Sequence, residues 1–386
     1  MLVLQMNIKK ITVLGSGIMG HGIAQVSAMA GYNVAIRDID QSFLDKAMEK
    51  IKWSLNKLVE KNKISSKDAE SILARISTSV DLKEALNSCD LVIEAVPEDM
   101  NLKKKVFAEV DKLAPSSTVF ASNTSTLPIT EIANTTSRPN RFIGIHFFNP
   151  PQLMPLVEVI PGTKTDSDLV DATMQYIKKV GKEPVLCKKD VAGFLVNRIF
   201  IPLVHEAAWS LQRDSAKMTE IDAAVKFKLG FPMGIFELAD YTGIDVVHKA
   251  TVEMYSRDKQ VINPCPMVEE LFNNKNYGQK SGKGFYEYKS GTYERINLTK
   301  EDAEHYDPIR LLAVAVNNAS WLLTNGVSSK EDVDRAMKLG MGLKDGLFPI
   351  AERFGLDIIV SELRKAAKTY GSFYEPDPTL VKLAGQ

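Results

Sequence analysis

The sequence predicts a doubly wound α/β sheet with a helical arm, followed by two similar all-α domains. Up to about residue 188, short apolar runs rich in β-branched residues alternate with helical periods, a pattern typical of a parallel sheet covered by helices. Beyond Asp190 the strand signals thin out and amphipathic helical periods continue to the C-terminus. Shifting this second half by 112 residues aligns it with itself, which indicates an internal repeat.

Individual elements follow from local patterns. The first strand is predicted at residues 8 to 14, because β-branched residues cluster there and Gly15 ends the run. A helix and a second strand at residues 34 to 36 follow, and then two helices form the arm, about residues 42 to 74, the second beginning at a capping box at Ser65. Strand signals resume at residues 91–93, 118–120, 142–145, 156–160 and 184–187.

The repeat divides the helical half into two copies, predicted at residues 189–288 and 293–386, after a first domain at residues 1–188. With the shift, Trp209 falls on Trp321. Further pairs in the same register are Arg198 with Arg310, Asp222 with Asp334, Gly234 with Gly346, and Gly243 with Gly355. Two similar helical modules packed against each other would explain this register.

Composition excludes several classes of partner. The 386 residues carry 48 basic and 48 acidic side chains, so no global field favours nucleic acid or an anionic membrane. Three distant cysteines, Cys89, Cys187 and Cys265, argue against a disulfide framework and a zinc cluster, and favour the reducing cytoplasm. The apolar start at residues 1 to 4 is too short for a signal sequence or a membrane span. We expect no metal, no nucleic acid and no membrane.

A glycine-rich turn marks a dinucleotide site of the Rossmann type. In Gly15-Ser-Gly17-Ile-Met-Gly20, after a strand and before a helix, the glycines allow a tight turn, close approach to a pyrophosphate, and close packing of helix on strand. Asp38, at the end of the second strand, suits a ribose diol and would repel a 2′-phosphate, which favours NAD over NADP. Arg37 would soften that preference if it turned toward a phosphate.

Polar residues follow two later strands and are candidates for chemistry. His146 ends the apolar run 142–145, and Glu158 on the following strand can accept its N–H and stabilise an imidazolium. The alternatives are an inert core histidine and a glutamate in a surface ion pair. Ser122-Asn-Thr-Ser125 suits nicotinamide and a substrate oxygen, or caps the helix at 127–133. Because His146 lies at the end of the next strand, we expect the polar side chains of both segments to converge on one crevice.

Together these motifs resemble the 3-hydroxyacyl-CoA dehydrogenase family. The resemblance covers the first 288 residues almost without interruption. It is carried by Gly15 to Gly20, Asp38, Glu98, Ser122 to Ser125, His146-Phe-Phe-Asn-Pro150, Glu158 and Gly193-Phe-Leu-Val-Asn-Arg198. Related sugar-acid dehydrogenases share the fold and a histidine motif, but they resemble His-Phe-Phe-Asn-Pro less well.

The resemblance implies reversible, NAD-dependent oxidation of an (S)-3-hydroxyacyl-CoA to the 3-ketoacyl-CoA. By this resemblance His146 is the general base and Glu158 its partner. Ser125 and Asn197 match the residues that bind the substrate oxygens, and Asn149 helps to organise the same pocket. The cofactor contacts fall to the backbone of Ile18 and Met19, and to Asp38, Glu98, Lys103 and Asn123.

The resemblance also gives the arm and the second copy a role. Ser54 and Lys61 match positions of the arm that contact CoA in relatives. Lys57 and Lys63 are close enough to take the place of Lys61 in that contact. The alternative is that these lysines only form a solvated face of the arm. Ile309 occupies the position of Asn197 in the second copy, so that copy is not a second active site. It is expected to supply helical packing that relatives obtain from a partner subunit, in a monomer or a homodimer.

Two other functions stay open. One is an NAD-dependent hydroxy-acid or sugar-acid dehydrogenase that acts on a free carboxylate. The other is a non-catalytic protein that keeps the NAD fold for a structural role, although the set of Ser125, His146, Glu158 and Asn197 speaks against it.

Overall fold

The computed structural model describes residues 8–214, 216–289 and 294–385. The apolar start at residues 1 to 4 and the two end residues of the second copy, 293 and 386, lie outside the described residues. The chain divides into two compact units, Met1–Asp190 and Val191–Gln386. Apart from residues 189 and 190, both predicted helical copies therefore lie in the second unit, and their separate boundaries remain a prediction.

The first unit is built on one sheet. Its strands are β1 Lys10–Leu14, β2 Asn33–Arg37, β3 Ile76–Ser79, β4 Leu91–Glu94, β5 Val119–Ser122, β6 Phe142–Phe147, β7 Leu156–Pro161 and β8 Glu183–Leu186. They lie in the order β3-β2-β1-β4-β5-β6-β7-β8. All neighbours are parallel except β6 and β7, which are antiparallel. The order reverses beside β1, which confirms the predicted doubly wound fold.

Helices connect the strands of this sheet. They are α1 Ile18–Met29, α2 Gln41–Glu60, α3 Ser66–Ala74, α4 Leu82–Ala85, α5 Met100–Leu113, α6 Ile129–Ala133 and α7 Ser167–Lys179. The arm is formed by α2 and α3, and Ser65 makes the predicted capping box with Asp68. Strand β3 was not predicted; it is an edge strand of sequence Ile-Ser-Thr-Ser that buries no residue fully. Such a strand lacks the apolar run by which buried strands are recognised.

The sheet brings polar residues to one edge. The inner strands are buried on both faces, because helices cover the sheet, and β4, β5 and β6 contain only buried residues. The carboxyl ends of β1, β4, β5 and β6 are neighbours, since these four strands are parallel and adjacent. Residues that follow these strands therefore meet at one edge.

The second unit is built mainly of helices in its described residues, with isolated β-bridges between residues 278 and 287. Its helices are α8 Val196–Arg213, α9 Met218–Phe227, α10 Ile235–Thr242, α11 Ile244–Arg257, α12 Pro266–Asn273, α13 Lys300–Glu304, α14 Ile309–Thr324, α15 Lys330–Met341, α16 Leu347–Phe354, α17 Leu356–Tyr370 and α18 Pro378–Leu383. Helices α9, α10 and α11 begin 112 residues before α15, α16 and α17, which is the shift of the sequence repeat.

One contact occurs twice in this unit, fully buried at Asp222 and part-buried at Asp334. The Asp222 carboxylate accepts a hydrogen bond of 2.8 Å from the Phe236 N–H, and Asp334 accepts one of 2.9 Å from the Phe348 N–H. Each aspartate thus satisfies a backbone donor in the first turn of the following helix, α10 or α16. A Cβ atom would overlap the carboxylate at the glycine that precedes each helix, Gly234 or Gly346.

The corresponding helices α8 and α14 pack against each other. The Arg198 guanidinium of α8 lies 3.3 Å from the centre of the Trp321 ring of α14. In the reverse direction, Arg310 Nε of α14 donates a 2.9 Å hydrogen bond to Glu206 Oε1 of α8. Equivalent arginines of the two halves therefore each bind the other half, with different partners.

Candidate active site

The glycine turn after β1 fits a bound pyrophosphate. Gly15 has φ +93°, and a Cβ there would lie 2.6 Å from the Ala95 carbonyl oxygen. A Cβ at Gly20 would overlap the Gly15 carbonyl oxygen. At Gly17, by contrast, no described heavy atom lies within 4 Å of the Cβ position, so the backbone there faces open space. Gly15 and Gly20 are needed for the close packing of the turn, and Gly17 leaves its backbone open to a bound pyrophosphate.

The first turn of α1 and Asp38 complete this binding surface. No side chain caps α1 at Gly17, so the N–H groups of Ile18 and Met19 belong to a first helical turn suited to an anion. Asp38 Oδ2 accepts two 2.7 Å hydrogen bonds from Ser16, one from its N–H and one from its hydroxyl, which holds the carboxylate beside the turn. These features fit the pyrophosphate and ribose of a dinucleotide.

Arg37 is directed elsewhere. Its Nε donates a 3.3 Å hydrogen bond to the Val80 carbonyl oxygen, next to the end of β3. In this conformation the arginine does not offset the negative charge that Asp38 presents to a 2′-phosphate. The arrangement therefore supports selection of NAD over NADP.

A buried ionic network joins the ends of β4 and β5. Glu94, the last residue of β4, is fully buried, and its Oε1 accepts a 2.6 Å hydrogen bond from Lys103 Nζ. Lys103 Nζ also lies 3.2 Å from Glu98 Oε2. On the other side, Ser122 at the end of β5 donates a 2.6 Å hydrogen bond to Glu94 Oε2. The network thus links α5 to both strand ends.

Burial and charge act in opposite directions on this network. Burial alone would lower the pKa of Lys103, but Glu94 and Glu98 outweigh it and raise that pKa, so the amine stays an ammonium. Burial likewise opposes ionisation of Glu98, but Lys103 and the Thr124 hydroxyl lower its pKa below the ordinary range. Burial raises the pKa of Glu94 against the attraction of Lys103.

Glu98 holds the segment that follows β5. Its Oε1 accepts hydrogen bonds from the Thr124 hydroxyl (2.6 Å), the Ser125 N–H (2.9 Å) and the Ser125 hydroxyl (3.1 Å). The Thr124 hydroxyl oxygen accepts a 3.0 Å hydrogen bond from the Leu127 N–H, two residues before α6. The segment therefore forms a turn ahead of α6 and aligns Ser125, but it does not cap the helix, since α6 begins at Ile129 and has no side-chain cap at Pro128. Asn123 Oδ1 accepts from the Phe147 N–H at 2.9 Å, which ties this segment to β6.

His146 and Glu158 face each other across the antiparallel pair of β6 and β7. His146 Nδ1 lies 2.7 Å from Glu158 Oε2. Glu158 is 0% exposed and His146 is 6% exposed, so the interpretation of Glu158 as a surface ion-pair residue is wrong. A carboxylate in this position accepts the Nδ1–H, which fixes the tautomer in which Nε2 takes up a proton. This is the arrangement of a general base with its supporting carboxylate.

Comparison with known proteins gives the family of the chain. The family model for "3-hydroxyacyl-CoA dehydrogenase, NAD binding domain" matches residues 10–191. The model for the C-terminal domain of the same family matches residues 193–288 and again 309–385. The chain belongs to the 3-hydroxyacyl-CoA dehydrogenase family. Its first unit is therefore the NAD-binding domain of such an enzyme.

Individual members of the family are similar over long stretches. The mitochondrial hydroxyacyl-coenzyme A dehydrogenase of Sus scrofa is 41% identical over 289 residues, which are 73% of this chain and 92% of that protein. The probable 3-hydroxybutyryl-CoA dehydrogenase of Bacillus subtilis is 39% identical over 288 residues, 74% of this chain and all of that protein. The crystal structure of 3-hydroxybutyryl-CoA dehydrogenase from Escherichia coli K12 covers 98% of both chains, with a TM-score of 0.88 and 28% identity.

The remaining predicted site residues of this dehydrogenase lie in different surroundings. Asn149 is exposed, three residues after His146. Ser54, on α2, accepts a 2.9 Å hydrogen bond from Gln25 Nε2 of α1, while Lys61 at the end of α2 is exposed. Asn197 is half-buried at the second residue of α8, in the second unit. Ser125, Glu98, Lys103 and Asn123 are joined with the strand ends, as described above.

Glu94 is the site residue that the sequence analysis missed. It ends the apolar run Leu91–Ile93, and a run of this kind reads as a plain buried strand. The available signal is chemical: a carboxylate at a fully buried strand end requires partners, and Lys103 lies on the helix that follows.

Other features of the described chain are simpler. Cys89, Cys187 and Cys265 are buried. Within residues 8–214, 216–289 and 294–385, no group of three or more His, Cys, Asp or Glu side chains is placed to hold a metal ion. In the same part of the chain, no helix has the length and apolar character needed to cross a bilayer.

Proposed function

We propose that this chain catalyses the reversible, NAD-dependent oxidation of an (S)-3-hydroxyacyl-CoA to the 3-ketoacyl-CoA, a reaction of fatty-acid metabolism such as β-oxidation. The observation that carries the proposal is the buried pair of His146 and Glu158 at 2.7 Å, beside the NAD-binding edge of the sheet. The relatives named 3-hydroxyacyl-CoA and 3-hydroxybutyryl-CoA dehydrogenase support the substrate class.

Each residue of the site has a separate role in this reaction. His146 Nε2 takes the proton of the C3 hydroxyl group, and Glu158 stabilises the imidazolium that forms. NAD, when bound, supplies the hydride acceptor. Ser125, held by Glu98, and Asn197 hold the substrate oxygens, and Asn149 organises the pocket. Proton transfer of this kind contributes roughly 10²- to 10⁴-fold to the rate.

Cofactor and substrate are held by separate surfaces. The backbone N–H groups of Ile18 and Met19 bind the pyrophosphate and Asp38 the adenosine ribose. Glu98, Lys103 and Asn123 surround the nicotinamide side. Ser54 and Lys61 of the arm contact the CoA moiety. Lys57 pairs with Glu60 at 2.7 Å, which favours Lys61 or Lys63 over Lys57 as the lysine that binds the phosphates.

The assay compares two substrates with NADH. Acetoacetyl-CoA should be reduced, whereas acetoacetate should be reduced far more slowly; equal rates would favour a hydroxy-acid dehydrogenase, and no NADH oxidation with either would favour a non-catalytic protein. His146→Ala should lose at least 10²-fold in kcat and still bind NADH. His305→Ala, which removes an exposed histidine, is the control and should keep full activity.

The second helical copy has a structural role in this proposal. The copies at 189–288 and 293–386 are supported by helices that begin 112 residues apart and by the two matches to the C-terminal domain. A chain that contains both copies can act as a monomer or a homodimer, which light scattering at two concentrations would distinguish. The wide spacing of the three cysteines along the chain supports a reducing compartment such as the cytoplasm.

A further inference from the structure

One buried amide connects three parts of the NAD-binding domain. Gln25 of α1 is 1% exposed, and its Nε2 donates a 2.9 Å hydrogen bond to Ser54 Oγ of the arm. On the other side of the amide, Gln25 Oε1 accepts a 3.3 Å hydrogen bond from Gln152 Nε2, six residues after His146. A buried amide needs partners for both its donor and its acceptor. The Gln25 amide therefore links α1 to the arm and to the chain that follows β6.

The Gln152 end of this link is held in place. Buried Lys182 donates from Nζ to two carbonyl oxygens, that of Gln152 at 3.4 Å and that of Met154 at 2.9 Å. Residues 151 and 152 also lie directly against α1, because a Cβ at Gly22 would come within 2.9 Å of the Pro151 ring and 2.8 Å of Gln152 Oε1. Gln25 thus has a fixed support on the side away from Ser54.

The hydroxyl hydrogen of Ser54 is available to a ligand. Among the residues that the structure describes, this hydroxyl takes part in the hydrogen bond from Gln25 and in no other. A hydroxyl oxygen that accepts a hydrogen bond from one side directs its own hydrogen elsewhere. Ser54 is part-buried on α2, so a group that lies along the arm can accept that hydrogen.

We propose that Gln25 positions the Ser54 hydroxyl for the CoA moiety and thereby helps the enzyme to select CoA thioesters over short thioesters. The inference rests on the proposed function, because that function places CoA at Ser54. Gln25 lies seven residues after Ile18 in α1, about 10 Å along the helix from the turn proposed for the pyrophosphate. It is therefore a positioning residue for the substrate, and its replacement should leave cofactor binding unchanged.

The measurement compares a complete and a truncated substrate with saturating NADH. It is the ratio of kcat/KM for acetoacetyl-CoA to kcat/KM for S-acetoacetyl-N-acetylcysteamine, which keeps the thioester and lacks the pantoate and the nucleotide. Ser54→Ala should lower this ratio about three- to ten-fold, the contribution of one neutral hydrogen bond. Gln25→Met removes the amide at similar side-chain length and should lower the ratio at least two-fold, with KM for NADH unchanged. Gln41→Met is the matched control, since Gln41 is exposed at the first residue of the same arm helix, and it should keep the wild-type ratio.

A double-mutant cycle separates positioning from a merely structural role. If Gln25 acts through Ser54, Gln25→Met has no further effect in the Ser54→Ala background, and the double variant has the ratio of Ser54→Ala alone. Damage to the packing of α1 would instead slow both substrates alike, or would multiply with the effect of Ser54→Ala.

The outcomes distinguish this inference from the function itself. An unchanged ratio in folded Gln25→Met or in Ser54→Ala, or effects that multiply in the cycle, would overturn the positioning role while the dehydrogenase activity of the wild type stands. If the wild type oxidised NADH with neither thioester, the proposed function would fail instead. If Gln25→Met does not fold, Gln25→Glu carries the same cycle, because its carboxylate draws the Ser54 hydrogen toward itself and must also lower the ratio; a wild-type ratio in that variant would refute the proposal.

Discussion

Glu158→Gln tests the central pair of the site most directly. The glutamine carbonyl oxygen can still accept the Nδ1–H of His146 at about the present 2.7 Å, so ring orientation and tautomer persist. What disappears is the charge that faces the imidazolium. Glu158 is fully buried, and two unit charges about 4 Å apart at an effective dielectric of about 20 attract by about 4 kcal/mol. The neutral amide recovers part of this, so kcat should fall on the order of 10²- to 10³-fold.

The assay is the initial rate of NAD reduction with saturating (S)-3-hydroxybutyryl-CoA, the direction in which His146 takes up the proton. Thermal unfolding of the same samples must show that Glu158→Gln is folded, and KM for NAD should change little, because Glu158 is placed to act on His146. Glu183→Gln is the control, since Glu183 is an exposed residue of the adjacent strand β8. If folded Glu158→Gln keeps kcat within ten-fold of the wild type, the carboxylate does not support the base and the reasoning fails.

Three further predictions concern other sites. Asp38→Ala should weaken NAD and relax discrimination against NADP, measured as the kcat/KM ratio of the cofactors; an unchanged ratio would contradict the ribose role. Burial lowers the pKa of His205 to about 3, so the folded chain keeps this imidazole neutral while the unfolded chain protonates it below the ordinary pKa of 6.5. The free energy of unfolding should therefore fall by about 1.4 kcal/mol per pH unit as pH falls from 6.5 toward 3. Urea unfolding should show a smaller decrease over this range in His205→Gln. Gly234→Ala and Gly346→Ala should each destabilise the chain by about 1–3 kcal/mol in the same urea assay, because each new Cβ overlaps an aspartate; full stability of either would contradict the repeated contact.

Much of the first unit follows from sequence, since its signals are local. The apolar runs and the Gly15 to Gly20 turn predict the sheet and the NAD edge, and the structure has them at the expected places. The twelve-residue separation of His146 and Glu158 does not by itself determine their contact. The antiparallel pairing of β6 and β7 does, because it sets the two residues opposite each other.

What sequence reasoning missed depends on contacts distant along the chain. Glu94 is bonded to Ser122, 28 residues away, and its role becomes visible only when β4 and β5 are neighbours. Ser54 is predicted as a CoA contact of the arm, and its hydrogen bond to Gln25 of α1, 29 residues away, is not visible in the sequence. The edge strand β3 carries neither an apolar run nor a clean alternation, so pairing with β2 defines it.

The reciprocal contacts between α8 and α14 join two helical modules whose association does not depend on the concentration of this enzyme. Arg198 on Trp321 and Arg310 on Glu206 join two helical modules that share one polypeptide. Joining within a chain makes their association independent of protein concentration, whereas two modules on separate subunits would come apart below their dissociation constant. Covalent linkage also lets the two modules diverge, and Ile309 opposite Asn197 in the repeat marks that divergence.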